Sequence, residues 1–508
     1  MRTLDEARAW RLVLAFAGVL TLARLAALFV TSVELYPDEA QYWLWSRSLH
    51  WGYVSKPPLI AWLIRLTTAL GGDGEPWVRL SAPLVHAGAM LALYPVGRRL
   101  YGPAAGALAA VLYGLMPAVQ VSALFIATDA PLMLFLALGL WAYVALLQEP
   151  AASRRRWIAA ALGAAVGLAF LAKYAAVFLV LGGLLHALTD REARRAWGGW
   201  AWAVALAVLL AILGPNLVWQ ASHHFATVSH TAEVNAHWSP ASLVNLGKFV
   251  EFELDQLGVL GPIPLVVLVG GAVVLARRKA LEPADRMLLC LAAPALVLVS
   301  LQALMSRAHA HWAAVSYLPG AVLAAAWLVR WRAKGWIAAT IALQGAVAVL
   351  LLAVLAEPRI ADATGNGRRL ARVRGWDVTA ALVTGAARSA QAHGGLSAVA
   401  VEDRYMFNAL AYYGRGYFET PGAAPLRMRP AAKALNEAEL SDPLTPAEGG
   451  RVLIAESVGL PESPGLPGEF SQTRPIGQWT IPLGGKKTRV IQLLIGEGYT
   501  PKISPTVP

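Results

Sequence analysis

The chain has 508 residues, of which 57% are hydrophobic and only 15% charged, a balance that excludes an ordinary soluble globular protein and places the chain among membrane proteins. The formal net charge of +12 does not signal nucleic acid here, because excess Lys and Arg in a membrane chain first report topology. The single cysteine, Cys290, lies inside an apolar run, so no disulfide within the chain can brace an exposed domain.

In chain order, MRTLDEARAWR precedes an apolar run without an A-x-A-like cleavage site and reads as the cytoplasmic start of an uncleaved first span. Runs long enough to cross the hydrocarbon as helix fall near residues 10–31, 77–97, 103–120, 128–147, 157–172, 174–189, 199–219, 257–276, 287–305, 312–331 and 335–356. The expectation is an α-helical polytopic protein with about eleven transmembrane helices. Alternate loops sort the basic residues. One set holds Arg2, Arg8 and Arg11; Arg98 and Arg99; Arg154, Arg155 and Arg156; Arg191, Arg194 and Arg195; Arg277, Arg278, Lys279 and Arg286; and Arg330, Arg332 and Lys334. By the positive-inside rule those loops are cytoplasmic. The opposite set is poorer in basic residues and carries most of the acids and histidines, so chemistry is expected on the non-cytoplasmic face of an inner membrane.

After residue 356 the sequence turns polar, and an odd number of spans puts this segment outside. The reading is two domains: 1–356 transmembrane, and 357–508 a small soluble, periplasmic, mixed α/β domain. SAVAVE, RVLIAES and TRVIQLLI have the pattern of strands. DRYMFNALAYYGR reads as an amphipathic helix ended by Gly414 and Gly416, and PESPGLPGEFSQTRP as a loop.

The first outside loop, ELYPDEAQYWLWSRSLHWGYVSKPPLIAWLIRL, is the most informative stretch. Pro37 suits the first turn of a helix, which sets Asp38 and Glu39 at an N-terminus where anions are stabilised. The aromatic set around Tyr42, Trp43 and Trp45 suits an interfacial helix. A second short helix should begin at Pro57–Pro58, with Lys56 just ahead of it at the depth of a lipid phosphate. The bland alternative is an interfacial helix capped by its acids, with a snorkelling Lys. Asp129, in ATDAPL, is either a plain cap of the next span or a carboxylate kept near the apolar region for chemistry. Lys173 interrupts LAFLAKYA at an outside hairpin tip.

The fourth outside loop carries His230, Glu233, His237, Glu251 and Asp255, which by residue type suit a substrate or a divalent metal. None has the spacing of a helical zinc motif, so the presence of a metal stays open. SRAHAHW sets Arg307, which suits a phosphate, beside His309 and His311 as further contacts. There is no P-loop, dinucleotide fingerprint, nucleophile elbow or CxxC pair.

Taken together, YPDEAQYW, SKPPLIAWLI, ATDAPL, LAFLAKYA, NLVWQ, FELDQLGVLGP and SRAHAHW resemble the bacterial dolichyl-phosphate-mannose-protein mannosyltransferase-like family, which includes lipid A aminoarabinose and galacturonic acid transferases. The resemblance implies a GT-C fold and a glycosyltransferase with a polyprenyl-phosphate sugar as donor and a lipid (lipid A, core oligosaccharide or another glycolipid) or protein as acceptor. It also implies an inverting mechanism. In that frame Asp38 matches the catalytic base, Glu39 supports it and Asp129 matches a second acidic residue. Lys56, with Lys173 and Arg307, would bind the donor phosphate. Ser55 stands where aminoarabinose transferases look acidic, which puts metal binding and that sugar in doubt. The rival from another class is a transporter or flippase of lipid-linked substrates, which would place its ionisable groups near the bilayer midplane.

Overall fold

The computed structural model describes residues 5–198, 200–235 (for 232–235 the backbone alone), 244–458 and 465–502. All eleven apolar runs fall on helices. Eight of these are long and apolar enough to cross a membrane: Glu6–Val30, Glu75–Tyr101, Asp129–Gln148, Ala152–Ala172, Ala201–Ser222, Pro283–Met305, Ala310–Arg330 and Lys334–Ala356. A ninth candidate is the pair Leu246–Val259 and Pro262–Arg277, bent by 115°; Gly261, at φ +103, and Pro262 break the helix between them. The remaining two, Pro103–Leu115 and Tyr174–Thr189, are apolar but shorter. Length at about 1.5 Å per residue, not composition, is what separates them from the rest.

The protein is thus a polytopic helical membrane protein. Its core gathers Met90, Leu93, Leu112, Tyr113, Leu136, Leu140, Leu323 and Trp327 from different helices, and every residue from Tyr317 to Leu328 is buried, which puts that helix at the centre. Close backbone approach is achieved with small residues, as expected where apolar burial alone cannot drive helices together. A Cβ on Gly97 would stand 2.7 Å from the Gly106 Cα.

Polar contacts mark the two ends of the bundle. At one end Asp285 accepts from the Tyr101 hydroxyl at 2.8 Å and pairs with Arg330 at 2.9 Å, while Glu282 pairs with the same Arg330. Arg98 pairs with Glu6. These are ends flanked by the basic loops. The starts of the Pro37–Arg47 and Asp129–Gln148 helices and the close of Ala152–Ala172 lie at the other end.

That second end carries a C-terminal domain built on a five-stranded mixed sheet, ordered β2 (Leu426–Met428), β1 (Ala398–Val401), β3 (Arg451–Ser457), β5 (Lys487–Tyr499), β4 (Phe470–Gly484). The first three strands run parallel and the last two pair antiparallel. The three expected strands are β1, β3 and β5, and the expected helix is Arg404–Tyr413. The Pro/Gly-rich segment read as a loop needs correcting: its last residues open β4. Pro475 is accommodated there because β4 is an edge strand, with a register irregularity at Pro475/Gly477. Residues 459–464 lie outside the described part of the chain.

Candidate active site

The Pro37–Arg47 helix starts as the sequence suggests, with Pro37 in its first turn. Glu39 closes a capping box on the Tyr36 backbone N–H at 2.8 Å, yet its carboxylate does more than cap. It is buried and pairs with buried Arg79, whose Nη2 lies 2.7 Å from Oε2, and it accepts the Ile126 N–H at 2.8 Å. Arg79 also donates to the Val33 and Glu34 carbonyls. One ion pair therefore fastens the loop before Asp38 to the segment before Asp129. Because Glu39 is enclosed, it faces no substrate space. Asp38, the preceding residue, is half-buried and open.

Asp129 forms the first residue of its helix, and Thr128 at the cap position makes no side-chain capping bond. The Asp129 carboxylate instead accepts from Lys173 Nζ at 2.8 and 3.0 Å, so the plain-cap alternative does not describe it. Lys173 is placed by the extended cap residue between the Ala152–Ala172 helix and the turn that follows.

Lys56 sits on a loop held from several directions. Asn216 Nδ2 donates to the Trp51 carbonyl at 2.6 Å, the Thr227 hydroxyl to the Tyr53 carbonyl at 2.8 Å, and the Val54 N–H to Glu437 of the C-terminal domain at 2.9 Å. Tyr53 stacks on Trp45 with ring centroids 4.5 Å apart. Gly52 is required by a close approach: a Cβ there would meet the Trp219 ring at 2.3 Å. The second short helix then runs Leu59–Gly71. Among the described residues no carboxylate lies within ion-pair distance of the Lys56 ammonium. Burial, with Lys173 nearby, lowers its pKa to about 8, partly opposed by Asp38 and Asp129.

These groups share one electrostatic neighbourhood. Lys56 responds to Lys173, Asp38, Asp129 and Arg404, Tyr42 to Asp38, Asp129 and Arg404, and His311 to Asp129, Lys173, His309 and Lys56. His309 and His311 stack with centroids 5.8 Å apart, and Arg307 lies exposed near His309. The structure therefore brings Asp38, Lys56, Asp129, Lys173 and His311 together, with Arg307 and His309 adjoining. Glu251 and Asp255 are exposed on the Leu246–Val259 helix. His230 is on the Ala226–Asn235 helix, as is the backbone of Glu233, whose side chain falls outside the described part, and His237 lies wholly outside it. Among the described residues no group of three or more His, Cys, Asp or Glu is arranged to hold a metal ion.

Sequence reasoning missed Arg404, which reaches this cluster from the C-terminal domain, 3.4 Å from Asp38. It carries no local signal, being several hundred residues away. Arg79 was not singled out either, although a lone arginine in EPWVRLSAPLVHAGAM hints at a buried partner.

The sequence pattern of the dolichyl-phosphate-mannose-protein mannosyltransferases matches residues 55–219, the stretch that carries Lys56, Asp129 and Lys173. Over residues 55–219 the chain is similar to that family. Next to the mannosyltransferase match, a lipid A galacturonosyltransferase, RgtD, of Rhizobium johnstonii is 39% identical over 310 residues, 61% of this chain and 63% of its own length. The match thus spans a little under two thirds of that relative. Solved structures of ArnT from Cupriavidus metallidurans share the fold. The apo form superposes with a TM-score of 0.63 at 19% identity, covering 96% of this chain and 98% of ArnT. The undecaprenyl phosphate-bound form gives 0.64 at 18%, covering 95% and 97%. The resemblance to this mannosyltransferase-like family is borne out, as is the polytopic helical fold with a C-terminal mixed-sheet domain.

Proposed function

We propose that the protein is an inverting glycosyltransferase that moves a sugar from a polyprenyl phosphate to an acceptor hydroxyl or phosphate, with lipid A as the first candidate acceptor. The observation that carries this reading is the half-buried Lys56 ammonium, which among the described residues has no carboxylate partner, set among Asp38, Asp129 and Lys173 at one end of a helical bundle. A partly buried cation without a counter-ion is costly unless an anion arrives, and a donor phosphate at the membrane surface is such an anion. The names of the relatives support the same choice: a galacturonosyltransferase acting on lipid A, and a structure bound to undecaprenyl phosphate.

In this reading Asp38 removes the proton from the acceptor hydroxyl as that oxygen attacks the anomeric carbon. The new carbon–oxygen bond forms on the face opposite the departing polyprenyl phosphate, whose bond to the sugar breaks with its electron pair. Lys56 stabilises the charge that develops on the leaving phosphate, with Arg307 at the lip. Lys173, held by Asp129, fixes that carboxylate beside the sugar rather than gripping the phosphate itself. Glu39 acts through Arg79 as a positioning group. The reading extends to two domains, 1–356 in the membrane and 357–508 outside it, with the N-terminus cytoplasmic and the active site on the periplasmic face of an inner membrane.

The test is transfer by purified protein in lipid nanodiscs, with undecaprenyl-phosphate galacturonic acid first and other undecaprenyl-phosphate sugars after it, to lipid A. Labelled lipid A is the expected product; failure with the whole donor panel on lipid and protein acceptors alike would sink the reading. A pH series adds a sharper expectation. Lys56 is charged below about pH 8 and neutral above it, so the donor KM should rise as pH climbs through that value. Lys56→Gln should start with a high KM and lose the dependence.

A further inference from the structure

Arg404 opens the Arg404–Tyr413 helix, whose cap Asp403 accepts the Tyr405 N–H at 3.0 Å. A cation in a first helical turn stands where the helix dipole opposes it, so local structure gives no reason for an arginine there. Its partners are elsewhere. The Nη1 atom lies 3.4 Å from Asp38 Oδ1 and donates to Gln41 Oε1 at 3.1 Å, one turn further along the same helix. The guanidinium stacks 4.6 Å from the Tyr405 ring centroid, and Nη2 donates to the Tyr405 hydroxyl at 3.2 Å. Two helix N-termini thus face each other with a carboxylate and a guanidinium between them.

The surface that delivers Arg404 is firmly seated. Trp43 meets Tyr412 edge-on at 4.9 Å, the Tyr412 hydroxyl donates to the Asp73 carbonyl at 2.6 Å, and the Tyr413 hydroxyl accepts the Leu35 N–H at 2.7 Å. Tyr412 is buried among the residues of the Pro37–Arg47 and Leu59–Gly71 helices, while Leu44 packs on the core of the C-terminal domain. Arg372 adds a further tie, donating to the Tyr36 hydroxyl at 2.7 Å. The Asp38 carboxylate and the Arg404 side chain are each 38% exposed, so their pairing leaves an open face for a substrate.

We propose that Arg404 is a positioning residue for sugar transfer. Held by Gln41 and Tyr405, it fixes the Asp38 carboxylate in one orientation, so that the C-terminal domain completes the active site rather than merely covering it. This deepens the reading above and rests on Asp38 as the base. In the step itself the acceptor proton passes to Asp38, the ion pair loses its negative partner, and the guanidinium stays in place on Gln41 and Tyr405.

The experiment compares wild type, Arg404→Ala, Arg404→Lys and Asp38→Asn as full chains in nanodiscs, measuring kcat, donor KM and undecaprenyl phosphate binding. A misplaced base costs roughly 10²-fold, so Arg404→Ala should lose about that in kcat with donor KM and undecaprenyl phosphate binding unchanged. Arg404→Lys, which keeps the charge but not the fork, should recover part of it; a residue that only held the fold together would not give that split or that rescue. Should Arg404→Ala fail to fold, Gln41→Leu, which removes one anchor of the guanidinium, should lower kcat in the same pattern. Wild-type kcat in Arg404→Ala, or loss of undecaprenyl phosphate binding in place of kcat, would overturn the proposal. Full activity in Asp38→Asn would instead overturn the assignment of the base on which it rests.

Discussion

Asp38→Asn is expected to cut transfer by orders of magnitude while leaving the fold intact. Asparagine keeps the shape of the side chain but accepts no proton, and a positioned general base contributes roughly 10²- to 10⁴-fold, so turnover should fall by about that factor with little change in donor KM. Stability should change little, because Asp38 is half-exposed and its ion pair with Arg404 is open to solvent, where such pairs contribute about 0–1 kcal/mol. Its favourable place at a helix N-terminus adds at most about 1 kcal/mol. Single-turnover transfer beside a thermal unfolding midpoint separates the two effects. Activity equal to wild type would remove Asp38 from the chemistry.

The largest effect on stability is expected at Arg79, whose side chain is fully buried against Glu39. Arg79→Met removes the cation from a carboxylate that also holds the Tyr36 and Ile126 N–H groups. Leaving a buried charge without its partner costs about 3–5 kcal/mol, and the carbonyls of Val33 and Glu34 lose their donor as well. The thermal midpoint should drop sharply. The double variant Glu39→Gln/Arg79→Met should recover much of that loss, because a neutral amide no longer needs a counter-ion. If the single and double variants were equally unstable, the pair would not be the clamp described here. Because the clamp ties the segments before Asp38 and Asp129, any folded Arg79→Met protein should also transfer slowly.

The C-terminal sheet illustrates how far local pattern reaches. β1, β3 and β5 are legible because short apolar runs bounded by turn residues have few alternatives. The opening of β4 is not, because proline and glycine read as loop until the edge position that tolerates them is known. The Trp376–Ala392 helix, capped at its start by Gly375 in the left-handed region with φ +74, was likewise not read, although its buried Trp376, Ala380, Val383, Ala387 and Ala390 recur at helical spacing.

The sequence by itself determined the membrane class, the helices and the basic end of the bundle, because hydrophobic length and charge bias act within a window of about 20 residues. It also determined the local settings of Asp38, Lys56 and Asp129, since proline and helix ends write themselves into short motifs. Only the tertiary structure decided which of these charges answer one another. Asp129 takes Lys173, Glu39 takes Arg79, Lys56 is left without a carboxylate among the described residues, and Asp38 receives Arg404 from a domain far along the chain. Ion pairing falls off within a few ångströms and is indifferent to sequence separation, so no pattern along the chain could have assigned those partners.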